Sequence, residues 1–445
     1  MSASNSFDCI VLGGGPAGST AAALVAEAGF STLLVEREKM PRFHVGESLM
    51  PETYWTLQRL GVLEELRKSA FPKKYSVQFV NQQGDASRPF YFHKHDPREC
   101  SQTWQVWRSQ FDQILFDNAA KKGADCRDQT RVLDVLFDEG NHVGRHQLGG
   151  NQADGNPPAH RRARGVRIQD QAGNSTDVAA RVVIDATGQQ SLVATRLGIR
   201  REDPHLRKSS IWTYYRGAHR DTGMDEGATI ILHTKNKDSW FWVIPLPDDV
   251  TSVGVVGDVD YLWKGRVKSK TDRGGPAAVF AQELALCPAL VERLAGAERI
   301  DEFRVAREFS YKAEIPAGDG WVLVGDAYGF IDPIYSSGVY FALKSAEMAA
   351  DCVVAGLRAD DTGAAQLAGW VPQFEAGATL IRKLVQAYYT DDFSFGRFIK
   401  AHPQHSGGLT DLLIGRIFHD SAGDIFRDMD PMLAEAREAK MEGGR

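Results

Sequence analysis

Six consecutive residues near the N-terminus, Gly13-Gly14-Gly15-Pro16-Ala17-Gly18, have the types and spacing to hold a pyrophosphate. In this GxGxxG arrangement the first glycine permits a tight turn, the second lets the backbone approach the phosphates, and the third allows close helix-to-strand contact. Phosphate charge then faces a helix N-terminus, whose unpaired N–H groups and dipole favour an anion. Glu36 lies 18 residues beyond Gly18 and can accept hydrogen bonds from ribose hydroxyls. A second constellation, Trp240-Phe241-Trp242-Val243-Ile244-Pro245, puts two indoles on alternate residues. On a strand both rings project to one face, where they either fill a core or form a flat apolar wall of a cavity.

The elements that must position these groups are legible from local pattern. Residues 8–12 predict a short apolar strand, 19–28 an alanine-rich helix, and 32–35 a second strand ending at Glu36. Strand, glycine turn, helix, strand and terminal acid in that order predict a dinucleotide site and not a merely structural turn. Further along, Trp321-Val322-Leu323-Val324 predicts a buried strand running into Gly325-Asp326-Ala327. Phe330-Ile331-Asp332-Pro333 and Ser336-Ser337-Gly338 follow, then a helix over 339–355. Residues 201–257, which include Trp212, Tyr214 and Tyr215, read as alternating strands. Residues 139–165, rich in Gly, Asn, Asp and Arg with Pro157-Pro158, predict a loop between strands. Helical spacing with charged polar faces recurs over 368–389 and 409–440, where a helical cap over a substrate entrance is expected.

A chain of 445 residues can bury a large core and suggests two or three structural units. Its 43% hydrophobic and 25% charged residues are those of a soluble globular protein. A formal charge of −6 and a pI near 6.1 give no electrostatic reason to expect nucleic acid or an anionic membrane as partner. No apolar run approaches the roughly 18 residues of a spanning helix, and residues 1–7 carry no targeting pattern, so a cytoplasmic location is expected. Cysteines stand at 9, 100, 126, 287 and 352 with no CxxC pair, which predicts reduced packing residues and no metal site.

The segment from Trp321 to Gly338 resembles the FAD-dependent oxidoreductases of the para-hydroxybenzoate hydroxylase fold. Two further matches stand in the same order as in that family: Arg108-Ser109-Gln110-Phe111-Asp112, like its flavin-contacting arginine motif, and Val183-Ile184-Asp185-Ala186-Thr187-Gly188, like its ATG strand. The resemblance implies an α/β chain with a Rossmann-like FAD-binding domain from 1–70, 101–200 and 301–365. It also implies a mixed-sheet substrate domain from 71–100 and 201–300, and C-terminal helices over 366–445. The implied cofactor residues are Gly13, Gly15, Pro16, Ala17, Gly18, Glu36, Arg37, Arg42, Ser48, Arg108, Gly325, Asp326, Pro333 and Gly338. Asp326 would bind the ribityl chain, and Pro333 would pass beside the isoalloxazine ring.

Pro41-Arg42-Phe43-His44-Val45-Gly46-Glu47-Ser48-Leu49-Met50-Pro51 resembles a segment shared by flavin-dependent halogenases and geranylgeranyl reductase-like relatives. Lys74, five residues before Phe79, resembles the lysine that halogenases place between flavin and substrate. Trp240 to Pro245 resembles their GWxWxIP signature, with Ser239 in place of the glycine, and Tyr388 to Phe398 resembles a segment of halogenases acting on phenolic or carrier-bound rings. The likeness runs from about residue 7 to about residue 400.

This resemblance implies that a separate flavin reductase supplies reduced FAD, that O2 adds to form a flavin hydroperoxide, and that bound chloride or bromide takes its terminal oxygen to give hypohalous acid. Backbone amides of Ser337 and Gly338 would bind the halide. Lys74 would be the catalytic residue, either as an ammonium hydrogen-bonding the electrophile or as an amine carrying it as a haloamine. Trp240 and Trp242 would line the passage and deny the oxidant direct access to substrate. Tryptophan-type relatives carry a glutamate where this chain has Tyr335, which argues against free tryptophan and for a phenol or pyrrole, free or carrier-bound. Packing is the alternative role for Tyr335. A geranylgeranyl reductase-like or monooxygenase activity is the alternative reading.

Overall fold

The computed structural model describes residues 6–138, 161–264, 275–390 and 392–443. Two sheets organise it. The first runs Ala317–Gly318, Trp321–Leu323, Ser175–Asp185, Ser6–Leu12, Thr32–Val35, Asp125–Arg127. All pairs from Trp321–Leu323 to Asp125–Arg127 are parallel. A parallel sheet is covered on both faces, which is why Cys9-Ile10-Val11-Leu12 reads as an unbroken apolar run and is fully buried. Helix Pro16–Glu27 packs between helices Ser337–Ala359 and Arg108–Lys121. Ala163–Gln169 pairs antiparallel with Ser175–Asp185, and Arg131–Phe137 pairs antiparallel with Ala163–Gln169.

The second sheet has nine strands, in the order Gly329–Phe330, Arg304–Ala313, Arg200–Arg216, Val250–Asp258, Ser239–Pro245, Thr229–His233, Ser76–Val80, Phe90–Tyr91, with Glu298–Arg299 paired at the side. It is mixed, because Thr229–His233 runs parallel to Ser76–Val80 while its other pairs are antiparallel. Arg304–Ala313 and Gly329–Phe330 belong to this sheet and not to the nucleotide-binding one, so a boundary at 301 cuts through it. Nothing local to those strands announces the change; it is made by pairing with Arg200–Arg216.

Element ends also move. The first helix starts at Pro16 and not at 19, since a proline ring is already set for the first helical position and needs no N–H partner there. The helix expected over 339–355 runs Ser337–Ala359. Of the loop expected over 139–165, residues 139–160 lie outside the described residues and 163–165 open a strand. The C-terminal segment forms helices Val371–Tyr388, Phe395–Ala401, Ser406–Ile414 and Phe426–Gly443. Among the described residues no helix is long and apolar enough to cross a membrane.

Candidate active site

The first turn of helix Pro16–Glu27 opens on a cleft and holds neither a capping side chain nor an acid. Its leading N–H groups therefore remain available to an anion. Gly13 sits at φ +99°, and a Cβ there would come within 2.5 Å of the Ala186 carbonyl oxygen, so the turn admits glycine alone. Glu36 closes the second strand and accepts the Gly14 amide at 2.9 Å. From it runs a line of alternating charge: Arg42 is 3.4 Å from Glu36 and 2.9 Å from Asp112, and Asp112 takes the Arg108 guanidinium at 2.8 and 3.1 Å. One carboxylate thus orients both arginines expected to meet the cofactor. The Arg108-to-Asp112 spacing of four on one helix was the available signal for it.

Gly13, Gly15, Pro16, Ala17, Glu36, Arg37, Arg42, Ser48, Arg108, Asp326, Pro333, Gly338, Trp240 and Trp242 all line this one cleft. Gly18 and Gly325 do not line it. A Cβ on Gly18 would lie 1.8 Å from the Gly13 carbonyl oxygen, so this glycine serves helix-to-strand packing. Gly325, at φ +57°, donates its amide to the Ser345 hydroxyl at 2.8 Å and turns the chain. Burial pushes the Asp326 carboxyl up to about 6, with Arg108 pulling the other way. A half-buried acid facing a cleft suits a polyol that donates hydrogen bonds, so the residues present fit a flavin dinucleotide.

Helix Ser337–Ala359 begins beside Asp326. Ser336 occupies its N-cap at φ 57° but makes no capping hydrogen bond, and the first turn holds no acid. Ser336 and Gly338 face the cleft, and a Cβ on Gly338 would meet open space. Ser337 is not part of the cleft surface: it is fully buried, and its hydroxyl has no hydrogen-bond partner among the described residues.

Lys74 stands behind the cleft wall. The short strand Lys73–Lys74 pairs with Thr103–Trp104, and alternation sends Lys73 outward and Lys74 inward. Lys74 is only 2% exposed; its Nζ donates to Ser48 Oγ at 2.8 Å and to the Leu49 carbonyl at 3.1 Å, above the Phe92 ring. Among the described residues no carboxylate compensates it, and burial lowers its ammonium to about 7. Ser48, which lines the cleft, is the link between this amine and the flavin side.

Strand Ser239–Pro245 separates two cores. Trp240, Trp242 and Ile244 face the larger one, Phe241 and Val243 the smaller. The indoles lie 6.3 Å apart by ring centroid, both on the cleft side. Trp242 is opposite Gly254, where a Cβ would come within 2.2 Å of its ring, so the ring occupies the space a side chain there would take, with its plane 56° from that of Trp240. Ser239 is on the other face; its hydroxyl donates to Glu283 at 2.5 Å, tying helix Pro276–Ala285 to the sheet. The exchange of glycine for serine thus lies on the face away from the indoles. Tyr335 packs edge-on against Tyr388, with its hydroxyl on the Leu384 carbonyl at 3.3 Å.

Glu47, Ser252, Asp332 and Tyr389, around the wall, were given no role from the sequence. Tyr214 donates to the buried Glu47 carboxyl at 2.6 Å, and the Ser252 side chain also favours its charged form. Tyr389 donates to Asp332 at 3.0 Å. Burial raises Glu47 to about 7 and Asp332 to about 6. Glu47 and Tyr389 lie inside segments that resemble halogenases, but neither partner is near them in sequence. Among the described residues no three His, Cys, Asp or Glu side chains cluster as a metal site.

A family model described as "FAD binding domain" matches residues 6–362. The chain is 32% identical over 363 residues to a 1H-pyrrole-2-carbonyl-[peptidyl-carrier protein] brominase of Pseudoalteromonas luteoviolacea, covering 81% of this chain and 80% of that one. It is 27% identical over 449 residues to the corresponding chlorinase of Pseudomonas fluorescens, covering 96% and 93%. Among solved structures, the flavin-dependent brominase Bmp2 superposes with a TM-score of 0.80 at 27% identity over 97% of this chain and 99% of that one. The myxobacterial chondrochloren halogenase CndH gives 0.76 at 28% over 97% and 96%. With its glycine turn, arginine pair, buried lysine and double-tryptophan strand set around one cleft, this chain belongs to the flavin-dependent halogenases of the FAD binding domain family.

Proposed function

We propose that this halogenase uses FAD reduced by a separate flavin reductase, together with dioxygen, to oxidise chloride or bromide to hypohalous acid. Lys74 then passes the oxidised halogen to a pyrrole or phenol held on a carrier protein. The overall step consumes reduced flavin, O2, halide and one proton, and yields oxidised flavin, water and hypohalous acid; the second step exchanges a ring hydrogen for halogen and releases water.

The observation that carries this reading is Lys74, a buried amine without a counter-ion among the described residues, held behind the cleft wall by Ser48. A lysine kept near neutrality of charge at neutral pH can either donate a hydrogen bond or accept halogen. The uncapped amides at the start of helix Ser337–Ala359 suit a halide, since they offer donors and positive potential without a nucleophile. Both pyrrole halogenases named above act on carrier-bound rings. Tyr335 leaves no carboxylate where an indole N–H would need polarising, which favours rings that are already electron-rich.

The test is direct. Photoreduced FAD, oxygen and bromide are mixed with a pyrrolyl-carrier protein or with free phenols, and products are followed by mass spectrometry. Wild type should halogenate the carrier-bound pyrrole, and Lys74→Ala should bind FAD yet give no halogenated product. Full halogenation by Lys74→Ala would remove the lysine from the mechanism, and halide-independent hydroxylation by wild type would replace the reading with a monooxygenase.

A further inference from the structure

Each indole of the wall is tied through a single hydroxyl to a buried carboxyl on a flavin-binding segment. Trp242 Nε1 donates to Ser252 Oγ at 3.1 Å, and the Ser252 side chain in turn favours the charged form of the Glu47 carboxyl. Trp240 Nε1 donates to the Tyr389 hydroxyl at 2.9 Å, which donates to Asp332 at 3.0 Å. The two relays come from unrelated parts of the chain, one through strand Val250–Asp258 and one through the residue that follows helix Val371–Tyr388. Glu47 and Asp332 are each 1% exposed. Glu47 lines the cleft and immediately precedes Ser48, which holds Lys74; Asp332 immediately precedes Pro333, which also lines the cleft, and accepts the Ile334 amide at 3.1 Å.

Packing alone would place two tryptophans on this strand, but it would leave each indole free to lie with its N–H in either sense. A buried indole N–H usually finds a partner, yet those of Trp104, Trp321 and Trp370 have none among the described residues, so burial alone does not supply one. Here the partner is in both cases a hydroxyl that also acts on a buried carboxyl, and the Tyr389 proton is committed to Asp332 at 3.0 Å. That leaves the Tyr389 oxygen facing the Trp240 indole, so this relay has one direction only.

We infer that Glu47 and Asp332 are positioning residues that fix the planes of Trp242 and Trp240 to the two flavin-binding segments, so that the passage is held in register with the flavin. This inference rests on the reading of the tryptophan pair as a passage wall, and its test reads the indoles themselves. Around Glu47 the facing groups are Tyr214, Ser252 and the charge of Arg108. Around Asp332 they are the Ile334 amide, Tyr389, and the charges of Lys208 and Asp258.

Full-length protein carrying 15N-labelled tryptophan is loaded with oxidised FAD, and its indole N–H signals are assigned by Trp240→Phe and Trp242→Phe. Glu47→Ala and the milder Ser252→Ala should shift the Trp242 signal and leave that of Trp240 in place; Asp332→Ala and the milder Tyr389→Phe should do the reverse. In turnover with reduced FAD, the yield of halogenated product per hydrogen peroxide released should fall about tenfold or more, as expected when a guided geometry is lost. Unmoved indole signals in folded, FAD-binding Ser252→Ala and Tyr389→Phe would overturn the inference. So would equal movement of both signals in every variant. If wild type makes no halogenated product, the proposed reaction fails, while the indole spectra still decide whether the relays position the tryptophans.

Discussion

Replacing Lys74 by methionine should make the protein more stable while abolishing its chemistry. In the folded chain burial brings the Lys74 ammonium from the usual 10.5 to about 7. At 1.36 kcal/mol per pH unit the difference corresponds to a cost of about 5 kcal/mol below pH 7 and still about 4 kcal/mol at pH 7. Methionine has a similar reach and no charge to desolvate, but it forfeits the hydrogen bonds to Ser48 Oγ and Leu49 O. Those contribute on the order of 1 kcal/mol each, so the net gain at pH 7 should be about 2 kcal/mol. The direction with pH follows from the same shift. Between pH 7 and 10.5 the unfolded chain binds the proton that the folded chain has released, so wild-type stability rises relative to the variant as pH increases. Urea unfolding of the FAD-free proteins at pH 7, 8 and 9 measures this gap, and halogenation assays on the same samples measure the loss of activity. A Lys74→Met protein less stable than wild type at pH 7, or a gap that widens from pH 7 to 9, would refute the reasoning, because either result means the amine is not buried uncompensated.

Gly254→Ala should push the Trp242 ring out of its place, since the added Cβ would come within 2.2 Å of it. Overpacking of this kind costs about 1–3 kcal/mol, and thermal unfolding together with an increased hydrogen peroxide yield would show it. Asp326→Asn should stabilise the FAD-free protein at pH 7, because burial raises the Asp326 carboxyl to about 6 and the charged form is then disfavoured by folding. For the wild type this destabilisation fades as pH falls from about 6 toward 4; a pH series of unfolding curves reads the convergence, and equilibrium dialysis reads the expected loss of FAD affinity. Crystals grown with bromide and FAD should give an anomalous peak at the amides of Ser337 and Gly338, and a featureless map there would remove the halide site from this helix.

What was legible in the sequence is what depends on neighbours along the chain. The glycine turn, its helix and the terminal Glu36 are set by backbone freedom and dipole at fixed spacing, and the structure brings Gly13, Gly15 and Glu36 to one cleft. The shared face of Trp240 and Trp242 follows from strand alternation alone, which explains why it could be read before any fold was known. Local pattern did not reveal which of Lys73 and Lys74 is inside, that Asp112 serves both Arg42 and Arg108, or that each indole ends on a buried acid. Those facts rest on Ser48 meeting Lys74, Ser252 meeting Glu47, and Tyr389 meeting Asp332, contacts between segments far apart in sequence. A lysine or glutamate acquires its unusual proton affinity only when distant pieces close over it and exclude water, so the chemistry of Lys74, Glu47 and Asp332 was decided by the tertiary structure. Types and spacing supplied the candidates; desolvation by the assembled fold determined their charge.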